Sequence, residues 1–165
     1  RPKVPANPAA PANGAAMVLR SEGIMTSGEG AMIVVDSSVW IDFFRGADTP
    51  GRHMLREVLQ QDDPAIVVPD LVLYEVLRGF RNARDYANAR RLLEGFDVVP
   101  AFSPALACLA AEHYRTLVAR GFTIRSALDV MIGTFCLYHD HLVLDNDRDF
   151  EVMERILGLR RLTRG

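Results

Sequence analysis

Apolar and polar positions fall into short blocks along residues 32–163, and the period within each block separates strands from helices. Ile33-Val34-Val35 is an unbroken β-branched run, which predicts a short strand buried on both faces. Residues 65–68 predict a second buried strand, and 97–99 and 142–144 predict two more strands. Between these runs the period becomes helical. Helices are predicted over about 39–45, 52–60, 70–80, 85–94, 104–120, 127–138 and 150–157. In the second of them Met54, Leu55, Val58 and Leu59 share one face. Ser103-Pro104 and Ser126 are start signals, and Gly95 and Gly121 are stop signals. A short edge strand is expected near 159–162. Strands alternating with helices predict a three-layer α-β-α fold with a mainly parallel central sheet, of the α/β class.

Residues 1–31 break the pattern. They are rich in Pro, Ala, Gly and Asn, carry no sustained period, and lack an apolar stretch long enough for a signal peptide. They are expected to form a disordered arm or upstream extension, with one folded domain over 32–165. Hydrophobic residues make up 49% of the 165 and charged residues 24%, as in a soluble globular protein. No apolar run is long enough to span a bilayer, so no membrane association and a cytoplasmic location are expected. A net charge of -2 excludes a global polyanion-binding signature and leaves only local basic patches. No lysine follows Lys3, which removes Schiff-base chemistry from the folded part. It also argues against phosphatases of the haloacid-dehalogenase type and phosphoacceptor receivers. Cys108 and Cys136 match no zinc spacing and are expected to be reduced core residues.

Acidic residues carry the candidate chemistry. Asp36 follows the first strand, and Asp145 and Asp147 follow the fourth. Parallel strands would place them on one edge of the sheet, where open α/β sheets form their sites. Asp36 serves equally well as a helix cap. Glu75 interrupts the apolar run Leu71–Leu77 and could pair with Arg78 instead of joining a site. Asp129 interrupts a second apolar run. It could complete a capping box with Ser126, and the first helical turn favours its ionised form. Several carboxylates brought together repel one another unless a cation lies between them. Hard divalent ions such as Mg²⁺ or Mn²⁺ prefer such oxygen ligands and support hydrolysis of phosphodiesters.

The segments MIVVDSSVWIDFFRG, PDLVLYEVLRGF, IRSALDVMIGTFCL and LVLDNDRDF, in this order and spacing, resemble the motifs of PIN domains. More narrowly they are similar to VapC-type toxins of bacterial toxin–antitoxin pairs, over residues 32–161. The resemblance implies a Mg²⁺-dependent endoribonuclease, with Mn²⁺ also able to serve, that cuts cellular RNA. It implies a homodimer inhibited by a cognate VapB-like antitoxin. Carried onto this sequence, the catalytic and metal-binding acids are Asp36, Glu75, Asp129 and Asp147, with Asp149 as a fifth ligand. Ser38 matches the small hydroxyl residue beside the first acid, and Arg125 matches a basic position suited to the scissile phosphate. Asp145 departs from the family, which usually has Thr or Ser there, and leaves open which of Asp145, Asp147 and Asp149 faces the metal. Gly133 stands where Ala is common and is expected to be harmless.

Arg78, Arg81 and Arg84 lie downstream of Glu75, with Arg90 and Arg91 beyond and Phe80 and Tyr86 interleaved. Arginine beside aromatics suits RNA backbone and base stacking, and equally a solvated helical surface. His139 and His141 are expected on the surface, Trp40, Phe43 and Phe44 in the core or a dimer contact, and Asp42 paired with Arg45. The alternative to an enzyme is a catalytically inactive PIN scaffold that binds RNA or a partner.

Overall fold

Three or four β-branched residues suffice for a strand that is covered on both faces. The protein, seen in a computed structural model that describes residues 30–62 and 64–163, contains four short strands, of which the third is an exposed edge: β1 (Ile33–Val35), β2 (Ile66–Pro69), β3 (Asp97–Val99) and β4 (Leu142–Leu144). They form one parallel sheet in the order β3-β2-β1-β4. The chain moves outward from β1 to β2 to β3, then crosses back to β4. Right-handed crossovers place the intervening helices on opposite faces. On one face lie α1 (Ser37–Arg45), α2 (Pro50–Leu59), α3 (Asp70–Leu77) and α4 (Ala83–Leu93). On the other lie α5 (Pro104–Ala119) and α6 (Ala127–His139), with α7 (Arg148–Leu157) packed against both. This is the expected three-layer α/β fold. Strand order reverses between β1 and β4, so the crevice beyond their carboxyl ends is the natural place for a site.

The core follows from the same pattern. Val34, Val35, Val67 and Val68 are buried in the sheet, and Val143 and Leu144 continue it. Trp40 is fully buried and packs its ring about 6 Å from Phe43, Phe44 and Phe96. Helix starts are closed by side chains that accept backbone N–H groups: Thr49 for α2, Asn82 for α4, Ser103 for α5 and Ser126 for α6. No helix among the described residues is long and apolar enough to cross a membrane. The arm expected over 1–31 lies, apart from residues 30 and 31, outside the described residues.

Several local expectations are corrected. α1, α4 and α7 begin about two residues early, because Asp36, Asn82 and Asp147 are themselves the caps. α3 ends at Leu77 rather than near Phe80, just short of the poor helix former Gly79. The edge strand near 159–162 reduces to a single parallel bridge between Val143 and Arg161. Cys136 is buried, but Cys108 is exposed on α5. Asp42 accepts a hydrogen bond from Asn146 Nδ2 at 3.0 Å instead of pairing with Arg45. His139 and His141 are half-buried, not surface residues. Their rings stack at 5.5 Å, and His141 Nδ1 accepts the Met32 N–H at 3.3 Å. Burial lowers the pKa of both imidazoles. Nothing contradicts the expectation for Gly133, where a Cβ would meet Met153 Sδ at 2.7 Å, so the glycine makes room for that side chain.

Candidate active site

The β1–β4 register pairs Val35 with Leu144, so Asp36 and Asp145 leave the sheet side by side. Asp36 N–H donates to the Leu144 carbonyl at 2.8 Å and locks this edge. The capping reading of Asp36 is borne out. It caps α1, with Oδ2 accepting from Ser38 N–H at 2.9 Å and from Ser38 Oγ at 2.6 Å. Its other oxygen, Oδ1, is buried and makes no hydrogen bond. Burial raises the Asp36 pKa, the Glu75 charge adds to the rise, and the Ser38 hydrogen bonds oppose it.

Glu75 sits near the end of α3 with its side chain 11% exposed. Oε1 lies 4.0 Å from Arg78 Nη2, a loose pair, while Oε2 is buried without a partner. Asp129 occupies the first turn of α6, where its N–H donates to Ser126 Oγ at 3.3 Å. Burial, followed by the charge of Asp36, pushes its carboxyl up to about 7, and Asp147 and Asp149 add to the rise. Asp147 caps α7, with Oδ1 accepting from Asp149 N–H at 2.9 Å. Asp149 is buried, and its Oδ2 accepts from the N–H groups of Arg125 at 2.7 Å and Ser126 at 3.3 Å. The start of α6 is therefore tied to the start of α7. Carboxylate oxygens of Asp129, Asp147 and Asp149 lie within 4.8 Å of one another.

Asp145 belongs to a different arrangement. Arg161 donates to it bidentately, Nε to Oδ2 and Nη2 to Oδ1, both at 2.9 Å. Of the three acids of the terminal motif, Asp145 is turned to a cation of the chain itself, and Asp147 and Asp149 lie with Asp129. Arg161 and Asn146 are the contacts that the sequence did not disclose. The one available signal was the unusual acid at 145. Arg125 is exposed beside Asp149, at the edge of an open groove of about 700 Å³ that Arg148 and Arg155 also line. Arg78, Arg81 and Arg84 are exposed around the α3–α4 connection, and the Arg78 guanidinium lies 5.9 Å from the centre of the Tyr74 ring. Arg90 is taken up by Glu94 at 2.7 Å.

The residues present fit a hard divalent cation. All donors are carboxylate oxygens, two buried oxygens lack partners, and no basic side chain pairs with Asp129, Asp147 or Asp149 among the described residues.

Comparison with known proteins agrees with this fold. The chain is similar to VapC ribonuclease Mb1587 of Mycobacterium bovis and to Ribonuclease VapC11 of Mycobacterium tuberculosis. Each is 26% identical over 129 residues, which span 78% of this chain and 96% of the relative. Similar solved structures include DNA-bound VapBC from Salmonella typhimurium, with TM-score 0.62 and 15% identity over 81% of this chain and 98% of that one. VapBC2 from Rickettsia felis, bound to a promoter DNA fragment, gives TM-score 0.60 at 14% identity over 79% and 97%. FitAcB from Neisseria gonorrhoeae gives 0.58 at 16% over 80% and 97%. At such identities the solved structures speak for the fold. The PIN domain model matches residues 33–156, and with the parallel sheet and the acids at its switch point in place, this chain belongs to the PIN domain family.

Proposed function

We propose that this chain is a divalent-cation-dependent endoribonuclease and the toxin of a VapBC-like toxin–antitoxin pair. The observation that carries this reading is the approach of Asp129, Asp147 and Asp149 within 4.8 Å, uncompensated by any basic side chain among the described residues. Asp129, Asp147 and Asp149 would hold Mg²⁺ or Mn²⁺, with Asp36 and Glu75 completing the acidic wall. Such an ion lowers the pKa of water and neutralises charge developing on a phosphodiester.

The chain's own residues prepare that chemistry. Ser38 pins Asp36 Oδ2 and leaves Oδ1 for the cleft. Asp149 fixes the Arg125–Ser126 backbone, which holds Arg125 beside the acids as the contact for the scissile phosphate. The Asp129 carboxyl keeps its proton to about pH 7, so occupation of the site by a cation near neutrality releases a proton from it. Arg78, Arg81 and Arg84 bind the RNA backbone away from the reacting bond.

The VapBC and FitAB complexes among the similar structures support a VapB-like antitoxin as partner. Exposed Phe102 and Tyr114, beside an apolar groove of about 380 Å³ over α5 and α6, support a homodimer.

The test is single-turnover cleavage of cellular RNA with Mg²⁺ or Mn²⁺, comparing the antitoxin-free protein with Asp36→Asn. The variant is expected to fold and to bind RNA, while its cleavage falls by about a thousandfold or more. Equal cleavage by both proteins would place the chemistry elsewhere. Binding without cleavage by the unaltered protein would make it a non-enzymatic RNA-binding scaffold.

A further inference from the structure

Asp36 and Asp145 follow paired residues on adjacent strands, and both carboxylates are buried, at 3% and 8% exposure. Buried like charges on neighbouring strands are unfavourable unless one is neutralised. The neutralising cation comes from the far end of the chain. Arg161 grips Asp145 with two bonds of 2.9 Å, the planar fork-on-fork arrangement that arginine alone can make. Its position is set by the bridge to Val143, by Leu162 N–H donating to the Val143 carbonyl at 2.8 Å, and by Glu154 of α7 at 3.3 Å. No basic side chain pairs in this way with Asp36, Asp129, Asp147 or Asp149 among the described residues.

We propose that Arg161 is a positioning residue for the acidic site: by holding Asp145 in a bidentate pair it withdraws that carboxylate from the cluster. The cation is then bound by the acids of α6 and α7, and is not drawn toward Asp145 beside Asp36. The segment after α7 is thereby part of the site, although it supplies no ligand. This inference rests on the reading of the acids as a cation site. A tail that merely pins the fold would act differently, because its loss would loosen the site and weaken cation binding and turnover together.

The sign of the charge change separates the two. Arg161→Gln removes one positive charge and frees one negative charge next to Asp36. Mn²⁺ binding, measured by calorimetry at pH 8, is expected to tighten about threefold or more. Cleavage at saturating Mn²⁺ is expected to fall about tenfold or more, because the extra carboxylate holds the ion off the productive position. The double variant Asp145→Asn with Arg161→Gln should return both quantities to within about threefold of the original protein. Should Arg161→Gln fail to fold by circular dichroism, Arg161→Lys keeps a charge without the fork and gives the same signs at smaller size. Mn²⁺ binding no tighter than that of the original protein, in whichever of these variants folds, overturns the proposal, as does a folded double variant that stays defective. Normal cleavage and Mn²⁺ binding by the original protein alongside such results would leave the nuclease reading standing. An original protein that neither binds Mn²⁺ nor cleaves RNA would remove both.

Discussion

Replacing Asp129 by Asn should stabilise the cation-free protein, and by an amount that depends on pH. In the fold the Asp129 carboxyl is pushed from 3.8 up to about 7 by burial and by the charges of Asp36, Asp147 and Asp149. Keeping it ionised in the folded state therefore costs at most about 4 kcal/mol. Solvent at the cleft mouth screens those charges, which reduces the expected cost to about 1–2 kcal/mol. An unfolded Asp ionises near its ordinary value, so the sign follows from linkage. Below about pH 4 the group is protonated in both states and costs nothing; the penalty grows as pH rises and is complete above about pH 7. Asparagine carries no such penalty. Urea unfolding with EDTA should show the variant level with the original protein at pH 4 and ahead by about 1–2 kcal/mol at pH 8, or about 3–6 °C in Tm. Mg²⁺ should reverse the order, because the intact site gains about 2.7 kcal/mol at a hundred times its Kd and the variant loses most of that linkage. A stability difference independent of pH, or an undiminished response to Mg²⁺ in the variant, would refute the argument.

Changing Arg78, Arg81 and Arg84 together to Ala should weaken RNA binding and lower the log–log salt slope by about 2, measured by anisotropy titration at several ionic strengths. Cleavage at saturating RNA should be largely kept. Trp40→Ala removes a fully buried ring in contact with three phenylalanines and should cost about 3–5 kcal/mol in denaturant unfolding. Asn146→Ala deletes the bond to Asp42 and should cost about 1 kcal/mol without altering Mn²⁺ binding. A chain beginning at Gly30 keeps the Met32 amide on His141 and should melt within about 2 °C of the full chain.

What the sequence by itself determined is local in character. The β-branched runs at 33–35 and 66–68 became strands because such residues suit a pleated surface covered on both sides. Ser103-Pro104 and Ser126 opened helices where expected because a cap bonds to an amide only three residues away. Asp36, Asp145 and Asp147 could be placed on one edge for a similar reason, since parallel strands of alternating βα units end on the same side. Even the errors at α1 and α7 were informative, as Asp36 and Asp147 proved to be caps, and Asp147 lies in the carboxylate cluster as well. The roles of Asp145, Asp147 and Asp149 could not be read this way, since all three follow one strand within five residues. Arg161 sets Asp145 apart from the other two, and it reaches Asp145 only because the chain after α7 turns back to bridge β4 at Val143. Asp42 likewise found Asn146 rather than the nearby Arg45, and the helix face left Cys108 exposed while Cys136 was buried. Caps and strand propensities act over a few residues. The compensation of a buried charge depends on which distant cation the tertiary structure brings within 3 Å, and local sequence holds no record of that.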